Sequence, residues 1–148
     1  MSTQPPTAPA PPAALAVGMT ARRSRQVTAR DIALFTELTG DRNPLHYDPD
    51  KAAASRFGGI IVQGGVTSGL LNAVVAEDLP GPGSVFLQVD WRFLHAVRPG
   101  DTITAEVEVL EVHPSKPVAK VRTTITKKDG TVVLDGDAHV YRVDLTAS

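Results

Sequence analysis

The stretch LTGDRNPLHYDP, residues 38–49, places a carboxylate, Asp41, five positions ahead of an imidazole, His46. A carboxylate and a group that titrates near neutral pH are an economical pair for polarising a water, one holding it while the other moves a proton. Between them Pro44 fixes its own φ and biases Asn43 towards an extended conformation, and the Asn43 side chain can bond to nearby backbone. On spacing alone an Asx-type polar turn carrying a surface histidine is the commoner arrangement. A second feature is the glycine pair Gly64-Gly65 ahead of an apolar run. Glycine in the first turn of a helix lets a carbonyl oxygen approach unpaired N–H groups at the positive end of the helix dipole, a site for developing negative charge. Close packing of helix against strand explains the same glycines equally well.

The elements that must hold these residues are legible to different degrees. MTARRSRQV, residues 19–27, reads as an edge strand whose Arg22, Arg23 and Arg25 discourage edge-to-edge pairing; these arginines could instead meet an anionic ligand. Thr28 with Asp31 suggests a capping box, followed by a short helix with Ile32, Phe35 and Leu38 on one face and Gly40 as its stop. Asp48 and Pro49 suit the N-cap and first turn of a second short helix through Ala54, with Gly58 and Gly59 ending it. Val66, Leu70, Leu71, Val74 and Val75 recur at helical spacing in the longest and most apolar helix, which the PGPG at residues 80–83 ends. Beyond Ser84 the pattern is β. Ile103, Ala105, Val107 and Val109 alternate with polar residues, and Asp129-Gly130 marks a hairpin into the last strand. One long helix and a run of antiparallel strands make an α+β domain in which the sheet wraps the helix. Its open edge suggests a homodimer with room for a ligand at the interface.

The 148 residues suit one domain, with 1–17 as a disordered Pro/Ala-rich tail and 18–148 folded. Five prolines in the first twelve residues, and no charge before Arg22, do not make a signal peptide. Fifteen basic residues against sixteen acidic ones give no bulk field for nucleic acid or a membrane surface. No apolar stretch approaches the roughly 20 residues of a membrane span. The chain has no cysteine, which removes disulfides and thiolate chemistry and suits a reducing, cytoplasmic setting. His95, His113 and His139 share no short metal-binding spacing and read as structural or surface residues. Trp91 and Phe93 alternate with Arg92 and are expected in the core or at a dimer interface rather than stacked on a ligand.

FTELTGDRNPLH, residues 35–46, with Ala52 beyond it, resembles the signature of the MaoC-like, (R)-specific enoyl-CoA hydratase family. VQGGVTSGLL, the WRFL strand and the RPGDT turn extend the resemblance over about residues 18 to 143. It implies a hot-dog fold, a dimer or double hot dog, and reversible syn addition of water to a trans-2-enoyl thioester, giving the (R)-3-hydroxyacyl thioester. By the same resemblance Asp41 and His46 activate the water and deliver the proton, Asn43 braces their loop, and the backbone N–H of Gly64 is the oxyanion donor. The substrate would be an acyl-CoA thioester, or an acyl carrier protein thioester processed in the dehydration direction. A non-catalytic acyl-thioester binding module is a third reading. No metal or redox cofactor is implied. Gln63 stands where the family usually has His, and Gly65 where it has a larger apolar residue; Gln63 cannot titrate, so no acid–base work falls to it. Leu70, Leu71 and Asn72 are expected towards the acyl end of the pocket.

Overall fold

The structure is a computed structural model, and it describes residues 14–146. Strand β1 (Thr20–Gln26) leads into helix α1 (Ala29–Thr39), the single turn α2 (Pro44–Tyr47), helix α3 (Pro49–Ala54) and helix α4 (Gly64–Ala73). Helix α4 runs on as a π turn, Val74–Asp78, closed by the Leu79 N–H on the Val74 carbonyl at 2.8 Å. Strands β2 (Ser84–Phe93), β3 (Thr102–Val112), β4 (Val118–Lys127) and β5 (Val132–Arg142) follow. The sheet is wholly antiparallel in the order β1-β3-β4-β5-β2. The expected meander is β3-β4-β5, and β1 and β2 form the two edges.

The α+β expectation therefore holds, and alternation is the reason. Ile103, Ala105, Val107 and Val109 of β3 and Val121 and Ile125 of β4 turn inward and are almost wholly buried. Leu71, Val74 and Val75 meet them from the helix in one continuous core. Leu71 is 0 % exposed, so it belongs to this core and not to a pocket wall, whereas Asn72 is exposed and Leu70 half-buried.

Local signals mostly landed. The Thr28 N–H donates to the Asp31 carboxylate at 2.8 Å, and Gly40 ends α1 with φ 82°. Leu38, expected on the apolar face of α1, is 81 % exposed; its place on the buried stripe is taken by Thr36. Helix α3 stops at Ala54, ahead of the glycine pair. Of the expected tail, residues 1–13 lie outside the described residues, and Leu15 is partly buried against the core. The β1 arginines are committed to carboxylates: Arg22 to Glu106, Arg23 to Asp78 at 2.6 Å, and Arg25 to Asp31. Among the described residues no helix is long and apolar enough to cross a membrane.

Candidate functional site

Asp41 and His46 come together because the chain between them is pinned at every step. After Gly40, the Asp41 N–H reaches the Thr39 hydroxyl at 3.2 Å. One carboxylate oxygen of Asp41 then accepts from the Asn43 N–H at 3.1 Å. Asn43 takes φ −52° and ψ 131°, the extended conformation that the following proline demands, and caps α2 by accepting from the Leu45 N–H. Pro44 occupies the first position of that turn, where its missing N–H costs nothing. The stiff loop expected from Asn-Pro is thus a capped helical turn, and it delivers His46 into the interior.

His46 is buried, with 7 % of its side chain exposed, while 37 % of the Asp41 side chain remains open. The His46 Nδ1 lies 2.7 Å from the Ile61 carbonyl. A carbonyl only accepts, so Nδ1 carries a proton, and in the neutral form of the ring the lone pair is at Nε2. That Nε2 is 3.8 Å from Asp41 Oδ2. In that neutral form the two atoms are both acceptors and do not bond to one another. A water 2.8 Å from each, an ordinary hydrogen-bond length, would subtend an angle of about 86° and donate to both.

The third component arrives along the same backbone. The Ile61 N–H donates to the Leu45 carbonyl at 3.2 Å, so Ile61 is clipped to α2 at both Leu45 and His46. Three residues on, Gly64 opens α4, and its N–H is one of the first-turn donors with no partner inside the helix. Gly64 lines a cavity of about 320 Å³ with Ile61, Thr67, Phe93 and His95. A methyl on Gly64 would sit 3.3 Å from Phe93 Cε1, so glycine keeps the helix end open beneath the ring.

The two departures at 63 and 65 acquire physical reasons. A Cβ on Gly65 would lie 2.2 Å from Phe35 Cζ, so the ring of Phe35 occupies the space of the missing side chain. Both residues line a groove of about 500 Å³ between α1 and α4, together with Leu34, Leu38, Gly69 and Leu70. Gln63 is 2 % exposed, and its Nε2 donates to the Ile32 carbonyl at 3.1 Å and the Thr36 hydroxyl at 3.2 Å. A cavity of about 420 Å³ on the outer sheet face, lined by Arg22, Glu106, Glu108 and Arg122, is polar strand surface; Asp41 and His46 line neither it nor the Gly64 cavity.

A family model described as MaoC like domain matches residues 13–131. The chain belongs to that family. The MaoC-like chain is 40 % identical over 126 residues to "3-hydroxybutyryl-CoA dehydratase" of Methylorubrum extorquens, covering 85 % of this chain and 80 % of the relative. It is 39 % identical over 126 residues to "(R)-specific enoyl-CoA hydratase" of Aeromonas caviae, covering 85 % and 94 %. Among solved structures, the (R)-hydratase from A. caviae involved in PHA biosynthesis superposes with a TM-score of 0.82 at 38 % identity, over 87 % of this chain and 98 % of that one. The hot-dog fold that the sequence resemblance implied is the fold of this chain.

The other aromatic and imidazole groups sort themselves. His113 caps its own turn, its Nδ1 accepting from the Lys116 N–H at 2.9 Å, and His139 lies in register between Gln88 and Lys120 on β5. Trp91 packs edge-on against Phe86 with ring centroids 5.5 Å apart, against the core. Phe93 is 56 % exposed beside Gly64. Among the described residues no cluster of three or more His, Asp or Glu could hold a metal ion. Sequence reasoning missed Thr36 and Tyr47; the available signal was a threonine one turn after Ile32 on the buried stripe of α1, where a hydroxyl must find a partner.

Proposed function

We propose that this chain is an (R)-specific enoyl-CoA hydratase in which Asp41 and His46 hold and activate one water. The observation that carries it is the His46 Nδ1 bond to the Ile61 carbonyl, which puts the lone pair of the neutral ring at Nε2, 3.8 Å from Asp41 Oδ2. Water held between them adds its oxygen to C3 of a trans-2-enoyl thioester while His46 Nε2 takes a proton. The carbon left electron-rich at C2 then receives a proton from the same pair on the same face, so the elements of water add syn. Negative charge that builds on the thioester oxygen in between is met by the Gly64 N–H and the α4 dipole. Asn43 acts through the loop it caps. The reverse sequence is dehydration of the (R)-3-hydroxyacyl thioester.

The names of the relatives in Methylorubrum extorquens and Aeromonas caviae support a CoA thioester as substrate. A homodimer is part of the same reading. At one sheet edge the β1 arginines are paired with acids; at the other, Val85, Leu87, Val89 and Phe93 of β2 are exposed. Pairing β2 with β2 of a second copy would cover those residues and wall the Gly64 cavity. A cysteine-free chain suits a reducing compartment, and a cytoplasmic location belongs to this reading. Crotonyl-CoA is the direct test: loss of enoyl absorbance with (R)-3-hydroxybutyryl-CoA as product is expected. Binding without turnover, or the (S) product, would overturn the proposal.

A further inference from the structure

Three pieces of the proposed site, the Asp41 loop, the His46 turn and the Gly64 helix end, meet at one buried hydroxyl. Thr36, 4 % exposed on α1, donates to the Asp41 carbonyl at 2.6 Å. The Nε2 of Gln63, the residue before Gly64, donates to Thr36 Oγ1 at 3.2 Å. The hydroxyl of Tyr47, the residue after His46, is the third partner. A threonine hydroxyl has one proton and two lone pairs. With the proton given to Asp41, both lone pairs are filled by Gln63 and Tyr47, so the group is saturated and the direction of each bond is fixed.

The orientation of Gln63 follows independently. Its Nε2 faces the Ile32 carbonyl at 3.1 Å, and a carbonyl cannot donate, so the amide cannot turn over without setting two acceptors against each other. Its Oε1 is buried with no partner. That orphan shows that the residue is held by what its nitrogen does. A glutamine with both donors engaged fits this position beside Thr36 as a non-titrating brace.

We infer that Thr36 is a positioning residue for the water-activating pair, with Gln63 as its brace; the inference rests on the role proposed above for Asp41 and His46. Thr36 touches no reacting atom. It sets the backbone of Asp41, and that backbone sets the distance from Oδ2 to His46 Nε2. Removing the hydroxyl strands the Asp41 carbonyl and frees the loop, while the Asn43 cap and the Ile61 clip still hold His46. The pair should drift apart without unfolding.

The test compares Thr36→Val, which keeps the shape and removes the hydroxyl, with Thr36→Ser, which keeps the hydroxyl. Amide hydrogen exchange at Asn43, whose N–H is held by the Asp41 carboxylate, is read beside kcat and KM for crotonyl-CoA. In Thr36→Val, exchange at Asn43 should quicken about tenfold, the worth of one net hydrogen bond, with β3 to β5 unchanged. The kcat should fall about 10- to 100-fold with KM held, as expected of misplacement on the order of 1 Å. Thr36→Ser should restore both. Wild-type exchange at Asn43 in Thr36→Val, or a serine variant that behaves like the valine one, overturns the inference. If the wild-type protein does not hydrate crotonyl-CoA, the proposed function fails, and the exchange measurement alone decides whether Thr36 positions the loop.

Discussion

Two glycines one turn apart on α4 should respond to alanine with opposite signs. At Gly69 an added Cβ would meet nothing within 4 Å. Alanine there gains helix propensity and loses unfolded-state entropy, together about 0.5–1 kcal/mol of added stability. At Gly65 the same methyl would lie 2.2 Å from Phe35 Cζ and 2.3 Å from Cε2. Carbon atoms in contact sit about 3.5–4.0 Å apart, so the ring must withdraw by roughly 1.3 Å or more. Overpacking of this kind costs about 1–3 kcal/mol. The propensity gain offsets part of it, leaving Gly65→Ala destabilised by about 1–2 kcal/mol, or roughly 2–8 °C in Tm for a chain of this size. Urea titration and thermal melting of Gly65→Ala, Gly69→Ala, Phe35→Leu and the Gly65→Ala/Phe35→Leu double variant measure both terms. Phe35→Leu shortens the ring that blocks the methyl, so the double variant should be more stable than the two single changes add up to. Equal shifts at Gly65 and Gly69, or strict additivity with Phe35→Leu, would refute the reading that Gly65 exists to seat Phe35.

At the β2 edge, Val89 is 43 % exposed and opposite Ala138 in register; the proposed homodimer predicts a dimer mass for the unaltered protein in light scattering and a monomer mass for Val89→Lys with the fold kept, and a monomeric unaltered protein or a dimeric Val89→Lys would refute pairing through β2. In the last hairpin, the Thr131 backbone N–H at 2.9 Å, followed by its side chain, holds the Asp129 carboxyl below the usual carboxylate range. A depressed folded pKa means that this support is present above the unfolded value and is lost as pH falls through the folded one. The protection factor of the Thr131 amide, its exchange measured against the intrinsic rate at each pH, should therefore fall in acid, and Asp129→Ala should abolish that pH dependence.

The fold was legible wherever one residue decides one local geometry. Gly40 needs a positive φ, Thr28 and Asp31 bond reciprocally, and the β3 alternation admits one inward face. Asp41, His46 and Asn43 could be picked out by type and by resemblance, and in the structure His46 Nε2 lies 3.8 Å from Asp41 Oδ2 with Asn43 capping the turn between them. What sequence did not carry was partnership across elements. Leu38 fits the α1 stripe by period yet faces solvent, because α1 leans on α4 through Phe35 and Gly65, and the chain continues through Thr36 to Asp41. Gln63 looked like a departure because its reason lies 27 residues away in Thr36. Leu71 shares its period with Leu70, and only the position of β3 and β4 assigns one to the core and the other to the groove.

The central claim is that Asp41 and His46 form one water-activating unit with a free base at Nε2. Asp41→Asn and His46→Gln are close in shape to the native residues and remove charge or base. Steady-state hydration of crotonyl-CoA should show kcat lower by about 10²- to 10⁴-fold in each, with melting temperatures near wild type. The double variant should be little worse than either single one, since the groups act on the same water. A folded Asp41→Asn or His46→Gln that hydrates crotonyl-CoA at the wild-type rate would contradict the account.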